Sequence, residues 1–432
     1  MENKQTPPQG LGFFWDMGLN AVKELESDEG ILASGREELY GCIFGRDSLI
    51  TSLKLLRVYR TKKIADFLPL VRKVLLNLAL LQGREANAES GEQPGKCIHE
   101  FRRSNHEHLT QAPFKPWYLY PDRTMRNYDS VDSTPLFLIA VYRYWQASGD
   151  GEFLRLIGPQ VEAALNWILM YADADGDGLV DYSGPLQRKF GGLMVQNWMD
   201  SIESVFHEDG TGYDYPLAPV EVQAYAYLAL KLWSRYFADA GSRDPMPFLK
   251  RAEAIKKAFP RFETTDPDGN YYLAFAIDGK GRQFRPVRSS MGHCLWASLN
   301  MREDGVTEGI LSEEKFGLIV KRLMAPDMFE PEAGIRTLSS YSRNFHPNSY
   351  HNGSIWPHDN SLIAEGFEIH GFRQEAALVR RAVLTALGYY KTPVELYVRE
   401  NNGYLDYCSD TGQRACSKQA WTAAALLDFS SE

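Results

Sequence analysis

The sequence predicts an all-α fold in which six helical hairpins close into a ring, an (α/α)6 six-hairpin toroid (barrel). Apolar residues recur with the helical period in about twelve segments, and the connections between them are alternately short and long. Clusters of polar and aromatic residues fall only in the long loops, each just before an even-numbered helix. A ring with the even-numbered helices on the inside would gather these clusters at one rim. An open α-solenoid of the same hairpins is the alternative.

The first six helices follow from the 3.6-residue period and from the prolines and glycines that interrupt it. The first begins after a polar start, and the second follows a loop that ends at residues 45–48. A long loop closes at 128–133, where the fourth begins, and a glycine-rich break at 149–151 separates the fourth from the fifth. The sixth follows a loop that ends at 219–221. In order, these helices cover about residues 11–25, 49–60, 64–82, 133–147, 151–171 and 220–237.

The second six helices are read in the same way. A tyrosine-containing loop precedes the eighth helix, the stretch 349–360 precedes the tenth, and a last loop with Glu395 and Glu400 precedes the twelfth. These helices cover about residues 247–258, 293–299, 312–323, 360–369, 373–389 and 418–429. No linker divides the chain. We therefore predict one domain over residues 1–432, with a flexible N-terminus at 1–10.

The composition limits the possible partners. The chain has 432 residues, of which 44% are hydrophobic and 12% aromatic, enough for a large core. The formal net charge is -9 and there is no strongly basic run, so we expect neither a nucleic-acid nor a membrane partner. No apolar run reaches the length of a membrane span. The oligomeric state stays open.

The five cysteines are scattered, odd in number and without a CxxC pair. This pattern indicates reduced thiols rather than a disulfide framework or a zinc site. The first ten residues lack the apolar core of a signal peptide. We therefore expect a cytoplasmic protein.

Residues 173–181 resemble a calcium loop, with carboxylates at alternate positions and glycine at the sixth. The twelfth position is Gly184 instead of the usual bidentate glutamate. We interpret the stretch as a glycine-rich turn and leave calcium open. No glycine-rich phosphate loop and no zinc-spaced cluster is present in the sequence, so we predict no metal centre and no cofactor.

The central candidate for a functional site is the stretch 196–201, which brings Trp198 and Asp200 close together. A tryptophan can offer its face to the C–H groups of a sugar. A carboxylic acid whose pKa is raised by an apolar neighbour can protonate a glycosidic oxygen. Most such triplets are structural, so this interpretation depends on the other loop clusters meeting at the same rim. There, the N-terminal ends of helices favour ionised carboxylates.

Seven strings carry a family resemblance through their order and spacing. They are Phe44-Gly45-Arg46-Asp47-Ser48, His99-Glu100-Phe101-Arg102, Tyr128-Asp129-Ser130-Val131-Asp132-Ser133-Thr134-Pro135, Asn197-Trp198-Met199-Asp200-Ser201, Val220-Glu221-Val222-Gln223-Ala224-Tyr225, Trp356-Pro357-His358-Asp359-Asn360 and Gln419-Ala420-Trp421. Nearly the whole chain resembles the six-hairpin toroid glycosidases. It is most similar to the amylo-α-1,6-glucosidase catalytic domain of glycogen-debranching-type proteins, with glucoamylases more distant.

The resemblance implies an inverting, exo-acting glycoside hydrolase on α-glucosides, with Asp200 as general acid. It implies that Arg46 and Asp47 grip distal hydroxyls of the sugar. The second carboxylate of such relatives lies in a Pro-Glu-Leu-Phe-like string, whose nearest match here is residues 393–397. This match makes Glu395 the general base. Because the string carries an extra valine, Glu400 is the competitor.

Inverting hydrolysis needs two carboxyl groups roughly 6.5–9.5 Å apart, one protonated and one ionised, with a water between them. The further candidates for substrate binding share the same loops and helix starts. They are Glu100, Arg102, Asp132, Trp198, Glu221, Tyr350, His351, Trp356, His358, Asp359, Glu400 and Trp421. Structural alternatives are a helix-start ion pair for Arg46 and Asp47, an N-cap for Asp132, a salt bridge between Glu100 and Arg102, and a buried histidine at 358.

Two departures from the relatives leave the substrate open. We expect no counterpart in these 432 residues to the β-sandwich domain that usually precedes the toroid, and the loops 103–108 and 118–127, expected at the mouth of the cleft, differ. The partner we predict is a small carbohydrate, an α-glucoside or oligosaccharide.

Three alternatives remain. One is a hydrolase of another small glycoside, such as sucrose, trehalose or glucosylglycerate. Another is a sugar isomerase or epimerase that uses His99, His293, His351 or His358. The third is a non-catalytic carbohydrate-binding protein.

Overall fold

The computed structural model describes residues 10–301 and 306–431 and is mostly helical. The predicted flexible N-terminus lies outside the described residues, apart from Gly10. Within the described residues, twelve helices match the predicted order. They are α1 (Leu11–Leu25), α2 (Gly45–Lys62), α3 (Phe67–Leu80), α4 (Ser133–Ser148), α5 (Gly158–Met170), α6 (Val220–Ala240), α7 (Met246–Ala258), α8 (His293–Trp296), α9 (Glu313–Leu323), α10 (Pro357–Ile369), α11 (Arg373–Tyr390) and α12 (Ala420–Phe429). Two shorter helices, Glu107–Thr110 and Gly151–Leu156, lie in the connections.

The even-numbered helices form a closed inner ring. Each contacts the next in the order α2, α4, α6, α8, α10 and α12, and α12 then contacts α2. The outer helices cover this ring: α1 packs on α12, and α3 packs on both α2 and α4. An open solenoid would leave α2 and α12 apart, so this contact excludes it. The toroid prediction is confirmed.

Burial distinguishes the inner helices from the outer ones. In α4, every residue from Ser133 to Tyr142 is buried, and α6 is buried without a break from Val220 to Leu230. A helix that is buried all round must lie between other elements, whereas an amphipathic one borders solvent. The outer helix α9 is of the second kind, since its buried residues follow a spacing of three or four.

Short antiparallel strands in the loops were not predicted. Most have only two or three residues, too few for the alternation that identifies a strand in sequence. The pairs and triplets are Glu26–Ser27 with Gly30–Ile31; Ile43–Phe44, Glu100–Arg102 and Met125–Asn127; Ala218–Pro219, Ala276–Ile277 and Gln283–Phe284; Glu263–Thr265 with Tyr271–Leu273; Leu299–Met301 with Val306–Glu308; Phe329–Glu330 with Gly334–Ile335; and Val398–Glu400 with Gly403–Leu405. In the first triplet, Phe44 pairs with Glu100, which brings two predicted site strings side by side.

Two predicted helices differ from the structure. The helix expected over 151–171 is broken after Leu156, and α5 begins with Pro159 in its first turn, a position where the missing N–H costs nothing. The helix expected to reach residue 299 ends at Trp296, because the chain turns there into the strand Leu299–Met301.

The structure also bears on two expectations from the sequence, one about the cysteines and one about membrane spans. All five cysteines are free, and only Cys408 is more than slightly exposed. Within the described residues, no helix combines the length and apolar character that a membrane crossing requires.

Candidate active site

The N-terminal ends of the inner helices and their preceding loops surround a cavity of about 240 Å³. Most of the predicted site residues line it. These are Arg46, Asp47, Glu100, Arg102, Trp198, Asp200, Tyr350, His351, Trp356, Glu395 and Trp421. Strings far apart in sequence therefore meet around one cavity.

Asp200 is held at the cavity by Arg46. The Arg46 guanidinium donates from Nη1 to the Asp200 carboxylate (3.1 Å), from Nε to Asp132 (2.7 Å) and from Nη2 to the Asn197 carbonyl (3.0 Å). The Asp200 side chain is 24% exposed, whereas those of Arg46 and Asp132 are almost fully buried. Burial raises the pKa of Asp200 to about 6, although the Arg46 charge opposes the shift. A carboxyl group in this state can carry a proton near neutral pH and still reach the cavity.

Glu395 is held by two donors on another part of the wall. Its carboxylate accepts hydrogen bonds from the Tyr350 hydroxyl and from the Cys416 N–H (2.9 Å). Burial raises the pKa of Glu395 to about 8, the two donors oppose the shift, and the charges of Asp47 and Asp200 add to it. The two carboxyl groups therefore interact electrostatically across the cavity.

Asp47 lies in the first turn of α2 and accepts a hydrogen bond from Gln419 Nε2 (3.1 Å). Burial raises the pKa of Asp47 to about 7, and the neighbouring Arg46 charge opposes the shift. Its carboxylate lines the cavity with Gln419, so both are available to sugar hydroxyls.

Aromatic rings form much of the wall. The His351 ring stacks on Trp356 with ring centres 5.0 Å apart, and Trp198 meets Trp356 edge to face at 5.9 Å. Trp198 is only 2% exposed, stacks on His293 and donates from its indole N–H to Ser290 (3.0 Å). Little of the Trp198 face is therefore available to a sugar, contrary to the expectation from sequence.

Five predicted binding residues lie away from the lining. Asp132 and Glu221 act from behind it, because Asp132 holds Arg46 and Glu221 accepts a hydrogen bond from Asn197 Nδ2 (2.7 Å) beside the Asp200 loop. Asp132 makes no capping hydrogen bond to α4. Asp359 pairs with His293 Nε2 (2.8 Å) inside the barrel.

His358 and Glu400 occupy opposite extremes of burial. The His358 ring is fully buried and stacks on Trp421 at 3.7 Å. Burial lowers the pKa of His358 well below its usual range. Glu400 is the exposed last residue of the strand Val398–Glu400, whose other two residues are buried, and it does not line the cavity. Neither side chain is placed to contact a sugar there.

Glu100 and Arg102 form a buried ion pair, and Arg102 also donates to the Leu39 carbonyl (2.7 Å). Burial raises the pKa of Glu100, and the Arg102 charge opposes the shift. Both side chains line the cavity, so the ion pair is part of its wall.

Several lining residues were missed. Tyr40 is the best connected of these, since its hydroxyl accepts a hydrogen bond from Gln413 (3.0 Å) and lies 3.2 Å from the Tyr350 hydroxyl, whose own proton is donated to Glu395. The others are Leu39, Phe44, His108, Leu109, Trp117, Leu193 and Gln419, and His99, named only for the isomerase alternative, also lines the cavity. Phe44, His99 and Gln419 stand inside the strings that carry the family resemblance, and this adjacency was the available signal. His108 and Leu109 belong to the short helix Glu107–Thr110 at the divergent loop.

In the predicted turn at 173–181, one carboxylate oxygen each from Asp173, Asp175 and Asp177 lie within 4.8 Å of one another. Arg251 pairs with Asp173 (3.1 Å) and Arg261 with Asp177 (2.6 Å), so two of the three charges already have protein partners. The absence of a metal centre stays a prediction.

Comparison with known proteins gives one family and a set of related folds. The sequence profile of the family described as a mannosylglycerate hydrolase MGH1-like glycoside hydrolase domain matches residues 121–422. No functionally curated protein matches the sequence significantly.

Solved structures share the fold over nearly the whole chain. The GH63 mannosylglycerate hydrolase of Thermus thermophilus, in complex with Tris, is 15% identical with a TM-score of 0.63, over 96% of this chain and 99% of that one. The same hydrolase with Tris and D-glycerate is 14% identical with a TM-score of 0.66, over the same shares. A wild-type glycosidase is 12% identical with a TM-score of 0.58, over 97% and 96%. At these identities, the likeness establishes the fold alone.

The resemblance to toroid glycosidases is thus confirmed for the fold and for the hydrolase class. The specific likeness to glycogen-debranching domains is not, because the matching family is a different one. That profile covers more than half of the chain. The chain therefore belongs to the mannosylglycerate hydrolase MGH1-like family of glycoside hydrolase domains, and it is a glycoside hydrolase.

Proposed function

We propose that this enzyme is an exo-acting, inverting hydrolase of small α-glycosides, with Asp200 as general acid and Glu395 as general base. The observation that carries the proposal is a pair of carboxyl groups on one cavity, the buried Glu395 and the partly exposed Asp200, each held by different partners. An inverting mechanism needs two such groups on opposite sides of the reacting sugar.

In the proposed reaction, the protonated Asp200 donates its proton to the glycosidic oxygen as the bond to the anomeric carbon breaks. A water attacks that carbon from the other face, and the ionised Glu395 accepts its proton. Tyr350 and the Cys416 N–H support the base, because hydrogen bonds to a carboxylate favour its ionised form. Arg46 fixes the position of the acid.

Sugar recognition is assigned to the polar groups and rings that border the two carboxyls. Asp47 would accept hydrogen bonds from sugar hydroxyl groups, and Gln419 could both accept and donate them. The hydrogen bond between the two side chains restrains both. Trp117, which lines the cavity and is partly exposed, would contact the apolar C–H surface of the sugar, while the buried Trp356 and Trp421 support the wall behind it.

The proposed substrate is a hexose joined to a small polar aglycone, of the hexosylglycerate type. The family description and the D-glycerate bound by the Thermus thermophilus hydrolase support this choice.

The test is proton NMR in the first minutes after the enzyme is mixed with a substrate panel. The panel contains mannosylglycerate, glucosylglycerate, sucrose, trehalose, isomaltose, panose and maltotriose. We expect the β-anomer of the free hexose to appear first, from a hexosylglycerate. Asp200→Asn and Glu395→Gln should each reduce turnover by roughly 10³-fold or more while circular dichroism stays unchanged.

Glu400→Gln is the matched control, since Glu400 is close to Glu395 in sequence but exposed on a hairpin. It should retain wild-type turnover. Early α-hexose would refute inversion, and release from isomaltose alone would restore the debranching-type assignment. Interconversion of free sugars without hydrolysis would favour the isomerase alternative. Full activity in Glu395→Gln would remove Glu395 from the mechanism.

A further inference from the structure

A second cavity, of about 340 Å³, lies at the opposite end of the barrel from the catalytic one. It is lined mainly by residues near the C-terminal ends of the inner helices, whereas the catalytic cavity lies at their N-terminal ends. We call it the basal cavity, and define it by Arg57, Arg60, Lys63, Arg143, Trp296 and Glu365.

The charges around the basal cavity are unbalanced. Four cationic side chains line it, with Glu365 as the single carboxylate among its described lining residues. Glu365 is already committed, because it pairs with Lys54 (2.7 Å) and Arg57 (3.3 Å). The whole chain carries a net charge of -9, so a cationic pocket here is not a consequence of overall composition.

Arg60, Lys63 and Arg143 have no carboxylate within ion-pair distance in the part of the chain that the structure describes. Arg143 donates only to the side chain of Gln146 (3.0 Å), a neutral partner. Burial lowers the pKa of Arg143, the charge of Arg60 lowers it further, and the Glu365 carboxylate opposes the shift. The exposed Arg60 and the partly buried Arg143 both line the cavity and repel each other, and a bound anion would relieve that repulsion.

Helix dipoles account for part of this pattern but not for all of it. Arg60 lies in the last turn of α2, where a cation is favourable. Arg143 lies more than one turn before the end of α4, beyond the reach of that effect. A guanidinium at this position needs another explanation.

We propose that the basal cavity binds a small phosphate ester, with its phosphoryl group between Arg60 and Arg143. Guanidinium groups match the oxygens of a phosphate with paired hydrogen bonds, and the nearby Lys63 adds a third positive charge. The cavity is larger than a bare phosphate needs. Its remaining wall includes Leu56 and Trp296, which suit the organic part of an ester.

The basal cavity borders a buried ion network, to which Arg57 and Glu365 of its lining belong. Lys54 Nζ donates to Glu365 (2.7 Å) and to Asp428 (3.0 Å), and Arg57 Nε donates to Asp428 (2.6 Å). These residues join α2, α10 and α12. A ligand that contacts the same end of the barrel in the folded state alone raises the unfolding temperature.

The test measures unfolding temperature and calorimetric binding for inorganic phosphate and glucose 6-phosphate, with sodium chloride matched for ionic strength. We expect both ligands to raise the unfolding temperature and the ester to bind more tightly. Excess glucose should not displace the ester, since glucose would compete only in the catalytic cavity. Arg143→Gln and Arg60→Gln should each weaken binding about tenfold.

Arg381→Gln is the matched control, because Arg381 is exposed on the outer helix α11 and does not line the cavity. It should bind as the wild type does. Equal stabilisation by sodium chloride, displacement by glucose, or unchanged binding in both variants would overturn the proposal. Phosphate binding without ester binding would overturn the assignment of the ester. If Arg143→Gln does not fold, Arg60→Gln decides the question, since Arg60 is exposed.

Discussion

Replacing Tyr350 by phenylalanine tests how much the Tyr350 hydrogen bond contributes to the function of Glu395 as the proposed base. The Tyr350 hydroxyl donates to one Glu395 oxygen, while the Cys416 N–H holds the other. The substitution removes one donor and keeps the ring, so the aromatic contacts with His351 and Trp356 remain.

The size of the effect follows from the hydrogen bond. A hydrogen bond to a charged group contributes about 1.5–3 kcal/mol, which corresponds to about 1–2 pKa units. The donor favours the ionised form of Glu395, so its loss raises a pKa that burial has already raised to about 8. The pKa of Asp200, about 6, should change little.

The direction of the pH dependence follows from these values. The productive free enzyme has a proton on Asp200 and none on Glu395. With pKa values of about 6 and about 8, this is the minor singly protonated form, roughly one in a hundred. The ratio kcat/KM should rise up to pH about 6, stay level, and fall above pH about 8.

In Tyr350→Phe, the value of kcat/KM in the level region should fall about ten- to hundredfold. The pH above which kcat/KM declines should move up by about 1–2 units. The lower limit, set by Asp200, should stay. The assay is the pH profile of kcat/KM on the best substrate of the panel. Tyr397→Phe is the control, since that buried hydroxyl bonds the Ala333 carbonyl (2.6 Å) away from the cavity. An upper limit that stays in place, or moves down, would refute the assignment of Glu395.

Three further predictions concern buried charges and close packing. Arg46→Gln leaves the Asp132 carboxylate buried without its cation and should lower the free energy of unfolding by about 3–5 kcal/mol, measured by urea denaturation, with loss of turnover. Lys54→Met removes one of the two cations that pair with the buried Asp428, since Arg57 is the other, and should cost about 1.5–3 kcal/mol in the same assay, with activity per folded molecule retained. Gly45→Ala would place a Cβ 2.0 Å from the Ile98 carbonyl oxygen, so the backbone must shift; we expect a loss of at least about 1–3 kcal/mol and lower kcat/KM.

A shared control for these three variants is Lys321→Met, because Lys321 is exposed on the outer helix α9. It should change the free energy of unfolding by less than about 0.5 kcal/mol. Arg46→Gln or Lys54→Met with the stability of this control would show that the buried ion pair contributes nothing.

Much of the fold was predictable because helical periodicity is a local property of the sequence. The bounds of α1 agree with the prediction residue for residue, and those of α11 and α9 agree within one residue. The order of long and short connections fixed which helices lie inside. The two-residue strands, such as Ile43–Phe44, were missed because their pairing depends on segments far away in the chain.

The candidate site was predictable as a set of loops but not residue by residue. Asp47, Asp132, Glu221 and Asp359 all stand at the starts of inner helices and look alike in sequence. Only Asp47 lines the cavity, while the others hold Arg46, Asn197 and His293. Which way such a carboxylate points depends on the rotation of its helix about its own axis, and packing against neighbouring helices sets that rotation.

The same distinction separates Glu395 from Glu400. The sequence by itself determined the helix order, the rim where the loops meet and the chemical character of that rim, because each follows from local spacing and composition. The choice between two glutamates so close in sequence was decided by tertiary structure. Backbone pairing of Tyr397 with Ile355 and of Glu395 with Cys416 buries the Glu395 carboxylate at the cavity. The hairpin that follows places the Glu400 carboxylate in solvent. Such contacts join distant parts of the chain, so no local pattern encodes them.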